Sequence, residues 1–122
     1  MDIFEYKLKG YCCSQMITAE SLKCMGKENE DLIEASAGFC FGLSGVGANC
    51  GIVTAAVAMM RLNNPEECTE VFAPCFVDWF KENFGSIECP ELLEGDLSNK
   101  IEKCPMMIEA SMTKVKELME WD

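Results

Sequence analysis

Nine cysteines and no histidine stand in this chain of 122 residues, so thiol and thiolate chemistry has to be weighed before any other. Without imidazole there is no Ser-His or Cys-His nucleophile pair, no histidine ligand for zinc and none for haem. A soft metal bound here would be held largely by thiolates. Four of the nine, Cys13, Cys50, Cys89 and Cys104, fall at predicted helix starts beside Gly10, Gly51, Pro90 and Pro105. Free backbone N–H groups and the positive end of the helix dipole meet the sulfur at such positions and favour the thiolate, the reactive and ligating form. Cys24, Cys40, Cys68 and Cys75 fall within predicted helices among apolar neighbours and read as small core residues, with Cys68 and Cys75 seven apart and so on one face. Cys12 adjoins Cys13, about 100° away around a helix, which makes it awkward for the two to serve one site. Whether Cys12, Cys40 or Cys75 takes part stays open.

The bland reading of the first four is that cysteine merely tolerates cap positions. Nothing in the chain matches C-x-x-C, so a zinc ribbon, a thioredoxin motif and the bacterial ferredoxin run all fail. Proline at the first helical position accounts for the Cys-Pro pairs at Cys89 and Cys104. Ligands to any metal would come from four distant segments, and losing the metal would loosen the fold.

The elements that must position these residues read as helices. Tyr11 to Met25 carries Met16, Ile17, Leu22 and Met25 at helical spacing, with Gly26 as a stop. Asn29 to Cys40 follows, with Asn29 or Asp31 able to cap it and Leu32, Ala35, Phe39 and Cys40 on one face. After the glycine-rich loop Gly42 to Asn49, the run Gly51 to Leu62 reads as a buried helix. Asn64-Pro65-Glu66 opens a segment to Asn83 that stops at Gly85 and that Pro74 should kink or split. Cys89 starts a short helical turn, Gly95 to Lys103 reads as loop, and Cys104-Pro105 opens a last helix to about Glu120. The expectation is a single all-α domain over residues 1–122, a compact bundle of five or six helices with a glycine-rich loop. That loop, with glycines at 42, 45, 47 and 51, reads as a nest of N–H groups around thiolate or sulfide, against a plain packing connection. It lacks the Gly-Lys-Ser/Thr of a phosphate loop.

Composition excludes several partners. A formal charge of -11, from ten basic against 21 acidic residues, argues against nucleic acid and anionic lipid. The longest apolar run, Ile52 to Met60, falls short of the roughly 20 residues of a spanning helix, and no basic-then-apolar leader opens the chain. The expectation is a cytoplasmic protein, where disulfides are improbable. Six of the methionines, Met59, Met60, Met106, Met107, Met112 and Met119, read as core filler rather than a copper site. Phe72, Phe76, Trp79, Phe80 and Phe84 form an aromatic stripe for core or dimer contact.

Taken together, Gly10-Tyr11-Cys12-Cys13-Ser14-Gln15, Phe41-Gly42, Gly45-x-Gly47-x-x-Cys50-Gly51, Phe84-Gly85-Ser86-x-x-Cys89 and Lys103-Cys104 resemble the C_GCAxxG_C_C family of redox proteins over nearly the whole chain. The resemblance maps the family's four cysteines onto Cys13, Cys50, Cys89 and Cys104. Where its signature has Ala and Gly, this chain has Ile52 and Ala55. The family is similar to a domain of split-Soret cytochromes in which an iron-sulfur cluster accompanies the haems, which implies a cluster here, while the absence of C-x-x-C-H leaves covalent haem aside. The expected function is an electron carrier, rather than an enzyme with its own substrate, holding a [2Fe-2S] cluster on Cys13, Cys50, Cys89 and Cys104, with Gly51 beside it, and serving a redox partner protein. Its rivals are a metal-free thiol/disulfide protein and a structural zinc site. A homodimer is also expected.

Overall fold

Asp2 accepts the Glu5 N–H at 3.2 Å and caps α1 (Ile3–Leu8), a helix too short for its periodicity to be legible in the sequence. The structure, a computed structural model, describes residues 1–121, the side chain of Leu97 excepted. α2 (Cys13–Met25) begins after Cys12, which takes the N-cap position and donates its N–H to Gln15 Oε1 at 3.1 Å. Gly26 ends it in the left-handed region at φ 69°, as the sequence predicts.

Asn29 Oδ1 accepts the Leu32 N–H at 3.0 Å and opens α3 (Glu30–Ser36). The predicted continuation to Cys40 fails: a 3₁₀ turn, Ala37–Phe39, leads into α4 (Cys40–Leu43), where Phe41, Gly42, Leu43 and Ser44 lie at φ 59°, 67°, 64° and 55°. This is a left-handed turn. Its three non-glycine members each cost roughly 1–2 kcal/mol, so neighbouring contacts must hold it. Gly42 has a second reason to be glycine, since a Cβ there would lie 2.7 Å from Ala48 O and 2.9 Å from Cys89 Cβ.

α5 (Gly51–Asn63) runs through the core with Ile52, Ala55, Ala56 and Met60 fully buried. It packs most extensively on α2, which buries the small residues Ser14, Thr18 and Ser21. The segment from Asn64 splits as Pro74 predicts, into a π-helical turn Cys68–Phe72 and α6 (Ala73–Phe84) with Pro74 in its first turn. The wider turn breaks the seven-residue register, so Cys68 is buried while Cys75 is exposed, and Cys24 is half-buried: the core reading of the four fails at Cys75. Phe76 and Phe80 are fully buried and Phe80 meets Phe84 at 4.8 Å between rings, which makes the aromatic stripe core. Met59, Met60, Met107, Met112 and Met119 are buried as well, whereas Met106 is exposed.

α7 (Cys89–Leu92) is a single turn, and α8 (Lys100–Met119) closes the fold across α2 and α5. The sequence predicts loop up to Lys103, but Asp96 Oδ1 accepts from both the N–H and the hydroxyl of Ser98 and seeds a 3₁₀ turn, Leu97–Asn99, that feeds α8. Buried Glu20 joins three helices: Tyr6 donates to Glu20 Oε1 at 2.8 Å and Lys116 Nζ stands 3.3 Å from Oε2. Among the described residues there is no strand beyond an isolated bridge between Asn49 and Glu88, and no helix long and apolar enough to cross a membrane.

Candidate redox site

Cys13, Cys50, Cys89 and Cys104 come from the first turn of α2, the N-cap of α5, the start of α7 and the second turn of α8, and all four are buried. Two main-chain bonds bring Cys50 and Cys89 into neighbouring rows: the Cys50 N–H donates to Ile87 O at 2.6 Å and the Cys89 N–H to Ala48 O at 3.0 Å. Cys13 Sγ lies beside Gly51, where the start of α5 packs closely on the Phe39 main chain. A Cβ on Gly51 would lie 2.7 Å from Phe39 O and 3.4 Å from Cys13 Sγ. Lys100, one turn before Cys104, donates to Cys104 Sγ at 3.7 Å and to Cys13 Sγ at 3.8 Å while its ammonium lies 4.7 Å from the centre of the Phe41 ring.

The electrostatics follow from this convergence. Burial pushes the Cys50 thiol up to about 12, with Cys13 adding to the rise, and the N–H groups of Ile52 and Val53 aimed at its sulfur oppose without prevailing. Burial likewise raises Cys89 and Cys104 against the pull of Lys100, and Cys13 raises both. Burial disfavours the Lys100 cation, but the sulfurs of Cys13, Cys104 and Cys89 more than compensate and its pKa is raised. At Cys50 the helix start does not by itself favour the thiolate, because desolvation outweighs the N–H groups of Ile52 and Val53.

Two further expectations change. Cys104 lies inside α8 rather than at its start, and what faces its sulfur is the Lys100 ammonium rather than free N–H groups. The loop from Gly42 is not a nest, because the N–H groups of Ser44, Gly45, Val46, Gly47 and Ala48 are all spent on carbonyls within residues 40–48. Its glycines serve turning and close packing instead. Ile52 and Ala55 are fully buried.

The sequence reading missed Lys100, although its spacing of four from Cys104 would have marked it had the helix been started there. It also missed a disulfide: Cys12 and Cys40, 28 residues apart, are joined, with Cα atoms 6.4 Å apart. No spacing signals that pair, which depends on how α3 and α4 return to the start of α2. A cavity of about 300 Å³ opens beside the site, lined by Cys12, Cys13, Lys100 and Cys104, and one of about 530 Å³ lies on the other side of Phe41 against Cys40 and Cys89.

Among the described residues no group of three or more cysteines and carboxylates is spaced to hold one metal ion. A mononuclear zinc needs four sulfurs about 2.3 Å from one point, whereas a two-iron cluster takes its thiolates two by two. All four donors are cysteine sulfurs, the soft donors that suit iron and sulfide, and Gly51 is where α5 closes on the Phe39 backbone beside them.

With the cysteines placed, the comparisons with known proteins decide the family. The model of the family described as "Putative redox-active protein (C_GCAxxG_C_C)" matches residues 11–118. The chain belongs to this family. No curated protein and no solved structure matches it. The matched span takes in Cys13, Cys50, Gly51, Cys89, Cys104 and Lys100 as well as both half-cystines.

Proposed function

We propose that this protein is an electron carrier that holds an iron-sulfur cluster, a [2Fe-2S], on Cys13, Cys50, Cys89 and Cys104. The observation that carries the reading is the convergence of four buried thiols from four helices: Lys100 Nζ lies 3.8 and 3.7 Å from the sulfurs of Cys13 and Cys104 and faces Cys89, while Cys50 neighbours Cys13 and Cys104. Burial hinders exchange of these four with a partner's disulfide, although Cys13, Cys89 and Cys104 border cavities, and it suits ligands that need shielding from water. The bound cluster would supply one-electron transfer. Cys13, Cys50, Cys89 and Cys104 would hold it, Gly51 lets α5 close on the Phe39 backbone beside them, and Lys100 offsets the negative charge of the thiolates.

Exposed Phe41 and Ile101 line the cavities, and with exposed Leu43 and Val46 of the loop after Phe41 they provide an apolar surface for a redox partner protein. The same apolar edge would serve a homodimer, for which sedimentation of the cluster-loaded protein at the mass of two chains is the check. Seven free cysteines fit a reducing, cytoplasmic setting.

The test is anaerobic purification followed by visible absorption and analysis of iron, zinc and acid-labile sulfide. Bands between about 400 and 600 nm with equal iron and sulfide support the cluster. A protein that is colourless and takes up no cluster on reconstitution refutes it, and stoichiometric zinc would give the site to a structural role.

A further inference from the structure

We infer that the Cys12–Cys40 disulfide is a second redox centre, a two-electron dithiol/disulfide couple that exchanges with an external thiol through Cys12. It stands on its own geometry and holds with or without a cluster next to it.

The two sulfurs are unequally placed. Cys40 is 2% exposed, whereas Cys12 is half-buried and lines the 300 Å³ cavity together with Lys7 and Lys100. Cys40 borders the 530 Å³ cavity but is almost wholly covered, so an incoming thiolate meets Cys12 first, along a path edged by two cations. The leaving sulfur is provided for. Ser14 is fully buried, donates its hydroxyl proton to Ser36 O at 2.6 Å, and holds its oxygen 2.8 Å from Cys40 Sγ. With its one proton committed to Ser36, that oxygen can act toward Cys40 only as an acceptor. A disulfide sulfur has no proton to give it, but a Cys40 thiol does. Ser14 is thus an acceptor whose partner exists only in the reduced state, and its buried lone pair favours reduction.

Cys40 is also the last residue before the left-handed turn of Phe41, Gly42, Leu43 and Ser44. The bond ties this strained segment to α2, and breaking it releases a constraint on backbone that is already unfavourable. Strain and an unmet acceptor both favour the dithiol.

The exchange balances as follows. A thiolate attacks Cys12 Sγ, forming a mixed disulfide there; the Cys12–Cys40 bond breaks and its electron pair leaves on Cys40 Sγ, which takes up a proton and donates it to Ser14 Oγ. A second thiol of the reductant attacks the first reductant sulfur and releases Cys12 as a thiol. One disulfide gains two electrons and two protons, and two reductant thiols become one disulfide. The reductant class is a small thiol or the dithiol of a protein, which share this chemistry.

The test is a glutathione redox titration of the full chain at neutral pH, quenched with acid, alkylated and mapped by peptide mass spectrometry. Cys12 and Cys40 should gain and lose their labels together, reversibly, in one two-electron transition, and the trapped glutathione adduct should sit on Cys12 at least tenfold over Cys40. Ser14→Ala should move the midpoint about fivefold toward the disulfide, the effect of one lost hydrogen bond. A thioredoxin-class dithiol at equal thiol concentration separates the two sources: faster reduction by it assigns a protein partner, faster reduction by glutathione a small one, and either supports the couple. Failure of both to reduce the native pair overturns it, as do a pair that stays dithiol in oxidised glutathione and an adduct borne by Cys40. The adduct map needs no variant, so it reads the couple even where Ser14→Ala alters the fold.

Discussion

Gly51→Ala should destabilise the protein although alanine is the better helix former. Gly51 is the first residue of α5 and its φ lies outside the left-handed region, so its backbone would accept any residue. The conflict is with the neighbouring main chain. A Cβ at this position would stand 2.7 Å from Phe39 O, 3.1 Å from the Phe39 carbonyl carbon and 3.4 Å from Cys13 Sγ. A carbon meets a carbonyl oxygen comfortably at about 3.3 Å, so Phe39 or the start of α5 must retreat by about 0.6 Å. The obstacle is backbone between a 3₁₀ turn and the left-handed turn, so no side-chain rotation relieves it. Overpacking of this kind costs about 1–3 kcal/mol, against roughly 1 kcal/mol gained from helix propensity and lost chain entropy. The net expectation is a loss on the order of 1–2 kcal/mol, or a melting temperature lower by about 4–15 °C. Gly38→Ala is the control, because its Cβ would meet only Ser44 Oγ at 4.0 Å and its φ is not positive. It should be neutral or stabilising by a few tenths of a kcal/mol. The assay is thermal unfolding by circular dichroism with the Cys12–Cys40 pair in one defined state. A Gly51→Ala protein that melts at or above wild type would refute the close approach of α5 to Phe39 and, with it, the reason given for glycine after Cys50.

Two further outcomes are expected. Burial opposes ionisation of Glu20, but the Tyr6 hydroxyl and Lys116 outweigh it, and the carboxyl is held below its ordinary value. A depressed folded pKa means that this stabilisation is present above the unfolded value near 4.3 and is lost as pH falls through the folded value. Tyr6→Phe should therefore cost about 1.5–3 kcal/mol at pH 7 in urea unfolding, and a smaller difference from wild type should remain at pH 2; a difference that persists undiminished would contradict the network. Lys100→Gln removes a cation 3.7–3.8 Å from two of the proposed ligand sulfurs. At an effective dielectric of about 20 a unit charge this close is worth at most ~4 kcal/mol, so the one-electron potential of the loaded centre should fall, by no more than ~170 mV, in a spectroscopic titration, and an unchanged or higher potential would count against it.

The sequence by itself determined the all-α class, because glycine stops at Gly26 and Gly85, the Asn29 cap, the Pro74 break and apolar spacing are local signals that need no partner to be read. It also singled out Cys13, Cys50, Gly51, Cys89 and Cys104, since the family's motifs are local in the same sense. What lay beyond it depends on contacts between distant segments. The helix predicted to Cys40 ends at Ser36 and residues 41–44 turn left-handed as the chain returns to the start of α2, where Cys40 bonds Cys12. Lys100 faces the cysteines only because the turn chemistry of Asp96 and Ser98 starts α8 one turn early. Burial decided most at Cys50, whose thiol is pushed up despite the N–H groups at the start of α5: a helix start favours a thiolate only while water still solvates it, and only the tertiary structure fixes how much water is left.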